Sequence, residues 1–184
     1  NLLLSFARII NDTLPSIVSM ENVPQLVKED VFEAFVNTLK SLNYYVYWNI
    51  VFAPDYGIPQ NRRRLVLLAS RFGPIRLIDP IYSKENYPTV RSAISNLPHI
   101  EAGEHDQYDA LHVASRLSKL NKLRIQASVP DGSWRDWDSR LKLPCHKKNS
   151  GKSYPSVYGR MNWDSPSPTI TTQFYGYGNG RFGH

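Results

Sequence analysis

Apolar residues recur along the first 70 positions with two different spacings. The segments Leu2 to Ile10 and Val27 to Leu42 carry apolar residues at helical intervals, so we predict a helix in each. Three runs rich in β-branched and aromatic residues predict strands at 16–20, 44–53 and 64–69. This order of elements predicts an α/β sheet, with the last two strands forming an antiparallel hairpin at a sheet edge.

The periodicity becomes short and irregular after Phe72. Small helices are predicted at 90–94 and around 115–125, and Pro, Gly, Asp and Ser punctuate the rest. This change predicts that the chain has three parts. They are half of an α/β domain at 1–74, a small irregular domain at 75–155 and a return segment at 156–184.

Composition narrows the class of protein. The chain has 184 residues, is 41% hydrophobic and 12% aromatic, and can therefore bury a core, which excludes the disordered class. It has no apolar run of about 18 residues, so no membrane span is predicted. The one cysteine, Cys145, excludes an internal disulfide and a cysteine-based metal site and favours a cytoplasmic setting. Three histidines, at 99, 105 and 112, lack a tight ligand pair, so we predict no metal.

The positive charge lies in the last two fifths of the chain. Residues 1–110 have 10 Lys and Arg against 12 Asp and Glu, a balance of −2, whereas residues 111–184 have 12 against 4, a balance of +8. Such asymmetry favours a surface that faces a polyanion, although a merely solvated basic face fits equally well.

Two features of the first half are candidates for chemistry. Glu21 follows a buried-type strand, at the strand end where ligands bind in open α/β sheets, although a structural or capping Glu is the alternative. In the run 60–64, a strand would place Gln60, Arg62 and Arg64 on one face, where an amide and two guanidinium groups suit phosphate and base oxygens. An exposed basic strand edge is the alternative there.

The tail combines hydroxyls, glycines and aromatics. Residues 167–172 are rich in Thr and Ser, and glycines alternate with tyrosines at 175–178. These residue types suit phosphate contacts and base stacking, and a flexible loop is the alternative.

Together these segments resemble the cytosine-5 DNA methyltransferases. Glu21-Asn22-Val23 is similar to the family's Glu-Asn-Val motif, and the run 55–64 is similar to its Tyr-Gly-x-Pro-Gln-x-Arg-x-Arg motif. The resemblance implies the second half of a Rossmann-like, S-adenosylmethionine-dependent catalytic domain at 1–74. It also implies a target-recognition domain at 75–155 and a segment returning to the catalytic domain at 156–184.

The resemblance implies base flipping and covalent catalysis on double-stranded DNA. A cysteine thiolate adds to C6 of the flipped cytosine, C5 takes a methyl group from S-adenosylmethionine, a base removes the C5 proton and the cysteine leaves. Glu21 would bind N3 and N4 of the base, Arg64 its O2 and a phosphate, and Arg62 would support the site. Gln60 would hold its loop and bind DNA, Thr171 would contact the backbone, and Leu2 matches a position near the cofactor adenine. Candidate DNA contacts in the recognition region are Arg135, Arg140, Lys147, Lys148 and Lys152.

Nothing like the family's Pro-Cys-Gln nucleophile segment precedes Glu21, and Cys145 lies in the recognition region, where we interpret it as structural or incidental. We therefore expect the chain to be part of a longer, cytoplasmic and nucleoid-associated prokaryotic enzyme, inactive by itself, with most of the cofactor pocket elsewhere. A cognate restriction endonuclease system is a further expectation. The alternatives are a DNA-binding or specificity module without catalysis, and a tRNA cytosine methyltransferase.

Overall fold

The computed structural model describes residues 2–150 and 156–170, and the backbone of residues 181–183. The chain forms two compact units. Unit 1 comprises Asn1–Tyr56 and Arg62–Lys84, and unit 2 comprises Gly57–Asn61 and Glu85–His184. The division at residues 74 and 155, which separates parts by their function, stays a prediction.

Unit 1 is a three-stranded sheet with two helices. Its elements are α1 (Leu2–Thr13), β1 (Ile17–Asn22), α2 (Asp30–Ser41), β2 (Tyr45–Phe52) and β3 (Arg63–Ser70). The strand order is β1-β3-β2, and β3 runs antiparallel to both neighbours. The predicted helices, strands and antiparallel hairpin are therefore confirmed, with β2 at the edge and β3 in the centre.

The alternation of side chains gives the sheet one buried face. Leu65, Leu67 and Ala69 of β3 are fully buried, and Val18 of β1 is almost so. They lie in one core with apolar residues of both helices, where the rings of Phe6 and Phe35 stack with centroids 5.8 Å apart. Because successive side chains of a strand point to opposite faces, Arg64, Val66 and Leu68 lie on the other face.

One predicted helix is shorter than its apolar pattern. The helical spacing begins at Val27, but residues Pro24–Lys28 form a 3₁₀ turn and α2 begins at Asp30. Glu29 is extended, with φ −95° and ψ 134°, so the backbone breaks between the two segments. Asp30 and Glu33 lie in the first turn of α2, as predicted, where the helix dipole favours negative charge.

In the part of unit 2 that the structure describes, regular elements are few. They are α3 (Val90–Ile94), α4 (Lys119–Ala127), α5 (Pro144–Lys147) and the short parallel strands β4 (Gly159–Arg160) and β5 (Arg181–Gly183). A 3₁₀ turn covers Trp134–Asp136. Helix α3 begins where predicted, because the Thr89 side chain accepts a hydrogen bond from Ser92 N in a capping box.

An aromatic cluster forms the core of unit 2. Trp134, Trp137 and Tyr158 are buried, and His146 stacks on Trp134 with ring centroids 4.4 Å apart. The buried Ser128 hydroxyl accepts a hydrogen bond from Trp137 Nε1 at 2.9 Å and donates one to the Tyr158 carbonyl at 2.8 Å. The two tryptophans near the predicted DNA contacts are therefore core residues, and their rings do not offer a stacking surface.

Candidate functional site

Glu21 lies beside two of the motif arginines. Strand pairing places Glu21 opposite Val66, so Arg64, two residues before Val66, is its diagonal neighbour on the same sheet face. Arg64 Nε forms an ion pair with Glu21 Oε1 at 2.6 Å, and Arg62 Nη2 lies 3.8 Å from the same oxygen. The fold of unit 1 thus brings together the three residues predicted to be catalytic.

The carboxylate of Glu21 is held and still accessible. Its side chain is 56% exposed, against 23% for Arg64 and 36% for Arg62. Arg64 is itself fixed, because its Nη1 donates to the Arg63 carbonyl at 2.7 Å. Both ion pairs use Oε1, and Oε2 has no hydrogen-bond or ion-pair partner within the part of the chain that the structure describes. A carboxylate in this state can accept a hydrogen bond from the exocyclic amine of cytosine.

Strand β1 ends directly after Glu21 and Asn22. The Asn22 side-chain oxygen accepts a hydrogen bond from Val23 N at 2.8 Å, and a 3₁₀ turn begins at Pro24. Because Pro24 has no N–H to donate to a strand ladder, the strand does not continue past the motif. Glu21 therefore lies at the end of the strand, next to a turn.

The prediction that Gln60 shares a strand face with Arg62 and Arg64 is wrong. Strand β3 begins at Arg63, and Gln60 belongs to unit 2, where it forms an isolated parallel bridge with Ser167. Pro59 has no N–H to continue a strand ladder, and Gln60 N donates back to the Ile58 carbonyl at 2.7 Å. The chain therefore leaves the sheet at residues 57–61.

Residues 59–61 are tied to residues 166–169 within unit 2. Asn61 N donates to the Ser167 carbonyl at 2.7 Å, and Ser167 N donates to the Pro59 carbonyl at 2.8 Å. The Asn61 side chain adds a hydrogen bond to the Pro166 carbonyl at 3.0 Å. Sequence reasoning missed Asn61, whose only signal was its place between the Gln and the first Arg of the motif. Thr171, predicted to contact the DNA backbone, follows this segment and lies outside the described residues.

Four predicted DNA contacts of the recognition region are exposed: Arg135, Arg140, Lys147 and Lys148. The Arg135 guanidinium lies over the Trp134 ring, 5.7 Å from its centroid. Arg140 Nε is paired with Asp138 at 3.0 Å, so a phosphate would have to compete with that carboxylate. Lys152 lies outside the described residues.

The remaining candidates contribute less. Leu2, the first residue of α1, is 90% exposed, and its apolar side chain offers a van der Waals surface without a hydrogen-bond donor. Leu2 alone therefore does not make a cofactor site. Cys145 is exposed on α5. Among residues 2–150 and 156–170, no group of three or more His, Cys, Asp or Glu side chains could hold a metal, and none of the described helices could span a membrane.

Comparison with known proteins places these residues in a family context. The model of the C-5 cytosine-specific DNA methylases matches residues 1–180. The Type II methylase M.HgiDII of Herpetosiphon aurantiacus is 52% identical over 186 residues, covering all of this chain and 52% of that protein. The Type II methyltransferase M1.BsuMI of Bacillus subtilis (strain 168) is 36% identical over 187 residues, covering all of this chain and 42% of that protein. The chain thus spans about half the length of the curated relatives it matches.

A solved structure supports the fold. A protein described as a DNA modification methyltransferase encoded within a prophage (E. coli) aligns with a TM-score of 0.55 and 20% sequence identity, over 90% of this chain and 55% of that one. This likeness confirms the predicted fold class, a partial methyltransferase sheet with a small irregular second region.

Proposed function

Because the chain belongs to the C-5 cytosine-specific DNA methylase family, we propose that the protein methylates cytosine at C5 in double-stranded DNA and that Glu21, Arg62 and Arg64 form the pocket for the flipped base. The observation that carries this proposal is the ion pair between Arg64 Nε and Glu21 Oε1, whose atoms lie 2.6 Å apart. It aims a fixed carboxylate from the sheet face while leaving Oε2 accessible.

The chemistry of a flipped cytosine fits this arrangement. When a nucleophile adds to C6, electron density moves onto N3 and the O2 side of the ring, and a hydrogen-bond network that balances this charge lowers the barrier. Glu21 would accept from N4 and share a proton with N3, while Arg64 would donate to O2. Arg62, 3.8 Å from Glu21, adds positive charge on the same side. The methyl group would come from S-adenosylmethionine, the donor that the family resemblance implies.

Unit 2 would hold the duplex. Residues 111–184 carry a balance of +8, and Arg135, Lys147 and Lys148 are exposed cations in this region. Such side chains neutralise phosphates and position a protein on DNA without reading its sequence. Gln60, Thr171, Arg140 and Lys152 complete the proposed DNA contacts.

The names of the relatives indicate the biological setting. Both are Type II methylases or methyltransferases, so we infer that this protein protects DNA against a restriction endonuclease of the same specificity, in the cytoplasm of a prokaryote. DNA from cells that express the protein should resist digestion at one sequence. DNA that stays sensitive to every nuclease, although it carries 5-methylcytosine, would contradict this role and leave the reaction itself intact.

The reaction is tested with the full-length gene product. It would be incubated with methyl-labelled S-adenosylmethionine and either duplex plasmid DNA or tRNA, and the nucleosides of each digest would be separated. We expect labelled 5-methyldeoxycytidine from the plasmid. Label in 5-methylcytidine of tRNA alone would overturn the DNA assignment in favour of a tRNA methyltransferase. DNA binding without transfer to either substrate would point to a non-catalytic specificity module.

A further inference from the structure

Asn61 makes three of the four hydrogen bonds that join residues 59–61 to residues 166–169. Its backbone N–H donates to the Ser167 carbonyl at 2.7 Å, its side-chain amide donates to the Pro166 carbonyl at 3.0 Å, and its carbonyl accepts from Thr169 Oγ1 at 2.8 Å. The fourth runs from Ser167 N to the Pro59 carbonyl at 2.8 Å. Two segments more than 100 residues apart in sequence are therefore joined mainly through one residue, by its backbone and its side chain.

The partner segment is itself firmly held. Val90 N and Arg91 N, at the start of α3, donate to the carbonyls of Ser165 and Trp163 at 3.0 and 2.8 Å. Arg91 also makes a two-pronged ion pair with Asp164, with distances of 2.7 and 3.1 Å, and lies over the Trp163 ring. These contacts with α3 thus hold residues 163–167 in place. Residues 59–61 therefore bind to a segment that is already fixed.

Gln60 lies in the middle of this junction. It bridges to Ser167 through the backbone, and it is half-buried. Its side-chain amide has no hydrogen-bond partner within the part of the chain that the structure describes. A primary amide offers two donors and an acceptor, which match the acceptors of phosphates and base edges. A fixed backbone with a free amide is what a DNA-contacting residue needs, because less side-chain and loop entropy is then lost on binding.

We propose that Asn61 is a positioning residue that fastens residues 59–61 to residues 166–169 and thereby presents the Gln60 amide to DNA. The role rests on the proposed function, because Gln60 needs DNA as its ligand. Asn61 acts through Gln60 and makes no contact with the base. Loss of the Asn61 amide would leave the Pro166 carbonyl without this donor and let residues 59–61 sample other conformations.

The test is a double-mutant cycle in the full-length gene product. Sites of methylation would first be mapped by bisulfite sequencing of treated plasmid, and the affinity for a labelled duplex carrying the mapped site would then be measured by fluorescence anisotropy. The variants are Asn61→Ala, Gln60→Ala and their combination. We expect each single change to weaken DNA binding about fivefold, which is the effect of one lost hydrogen bond, and the double variant to be little weaker than either single variant.

Two further variants separate positioning from folding. Asn61→Asp keeps the size of the side chain and replaces the amide donor by an oxygen, so it should weaken binding at least as much as Asn61→Ala. Thr169→Val removes the other side-chain hydrogen bond of the junction and should also be non-additive with Gln60→Ala. Asn96→Ala is the matched control, because Asn96 is an exposed asparagine of the same unit that lies outside both segments of the junction. It should leave DNA affinity unchanged.

The outcomes are distinguishable. Additive losses for Asn61→Ala and Gln60→Ala, with both proteins folded by thermal melting, would overturn the proposal, and so would a Gln60→Ala variant of wild-type affinity. If Asn61→Ala does not fold, Thr169→Val and Asn61→Asp are each combined with Gln60→Ala in its place. Additive losses in these combinations would then overturn the proposal. Failure of the proposed function would appear earlier, as absence of methylated sites in plasmid treated with the wild-type protein.

Discussion

Replacement of Arg64 by lysine should slow methyl transfer while leaving DNA affinity nearly unchanged. The native side chain forms an ion pair through Nε with Glu21 Oε1 at 2.6 Å and donates a hydrogen bond through Nη1 to the Arg63 carbonyl at 2.7 Å. Lysine keeps the positive charge, but a single ammonium on a flexible stem cannot reproduce this fork. Glu21 would keep a counter-charge and lose its fixed orientation.

The size of the effect follows from the exposure of the pair. An ion pair with an exposed partner contributes about 0.2–1 kcal/mol, and the Glu21 side chain of this pair is 56% exposed. If the orientation of Glu21 is needed in the transition state, the rate of methyl transfer falls by up to about fivefold. Affinity for DNA, which depends mainly on charge, should change by less than about twofold.

The assay is single-turnover methyl transfer with the enzyme in excess, beside anisotropy measurements of DNA binding. Arg63→Lys is the matched control, because Arg63 is the adjacent arginine and its guanidinium lies over the Phe52 ring, 5.0 Å from the centroid. The reasoning fails if Arg64→Lys loses no more rate than Arg63→Lys, with both proteins folded. It also fails if the loss lies entirely in DNA affinity.

Three further changes test other parts of the structure. Lys147→Ala should reduce the slope of log affinity against log salt by about one, because one exposed phosphate contact is removed. Lowering the pH should destabilise unit 2, because burial and then the nearby Arg124 and Lys142 charges lower the pKa of His146 below its usual 6.5. The folded state therefore binds fewer protons than the unfolded state. The contribution of His146 to the free energy of unfolding is fully present above about pH 6.5 and is lost as the pH falls toward the lowered pKa. Leu39→Ala should reduce the free energy of unfolding by about 2–5 kcal/mol, since Leu39 is fully buried in the core of unit 1.

Each of these changes has its own measurement. Titration of DNA binding from low to high salt checks the first, and an unchanged slope would show that Lys147 does not meet phosphate. Melting temperature against pH checks the second, with His146→Phe expected to flatten the dependence and the 85% exposed His99, changed to Gln, expected to keep it. Chemical denaturation checks the third, and a loss below about 1 kcal/mol would mean that the core collapses around the missing side chain.

Local patterns were sufficient for most of unit 1. The apolar spacing of α1 and α2 and the β-branched runs of the strands identify these elements because one face of each is buried. The contact between Glu21 and Arg64 could also be anticipated, since both lie in motifs at strand ends. Its geometry depends on the register that pairs Glu21 with Val66, which no local pattern shows.

The parts that escaped prediction depend on partners far away in sequence. The assignment of Gln60 to a strand face failed because residues 59–61 pair with residues 166–169, and a period-2 pattern says nothing about such a partner. Trp134 is buried because His146 and Tyr158 pack around it. Arg124 is buried for a similar reason, with its Nε donating to the Leu141 carbonyl at 2.9 Å. Arginine and tryptophan in a basic region are typical of a binding surface. Only tertiary packing shows whether such a residue lies on that surface or in the core.

The central claim, that Glu21 binds the flipped cytosine, is tested most directly by Glu21→Gln in the full-length gene product. Glu29→Gln is the control, because Glu29 is an exposed carboxylate that makes no side-chain cap to α2. Single-turnover methyl transfer to plasmid DNA should fall about 100-fold or more in Glu21→Gln, the size of effect seen when a stabilising group for a charged transition state is removed, and should be unchanged in Glu29→Gln. A folded Glu21→Gln protein that methylates DNA at the wild-type rate would contradict the claim.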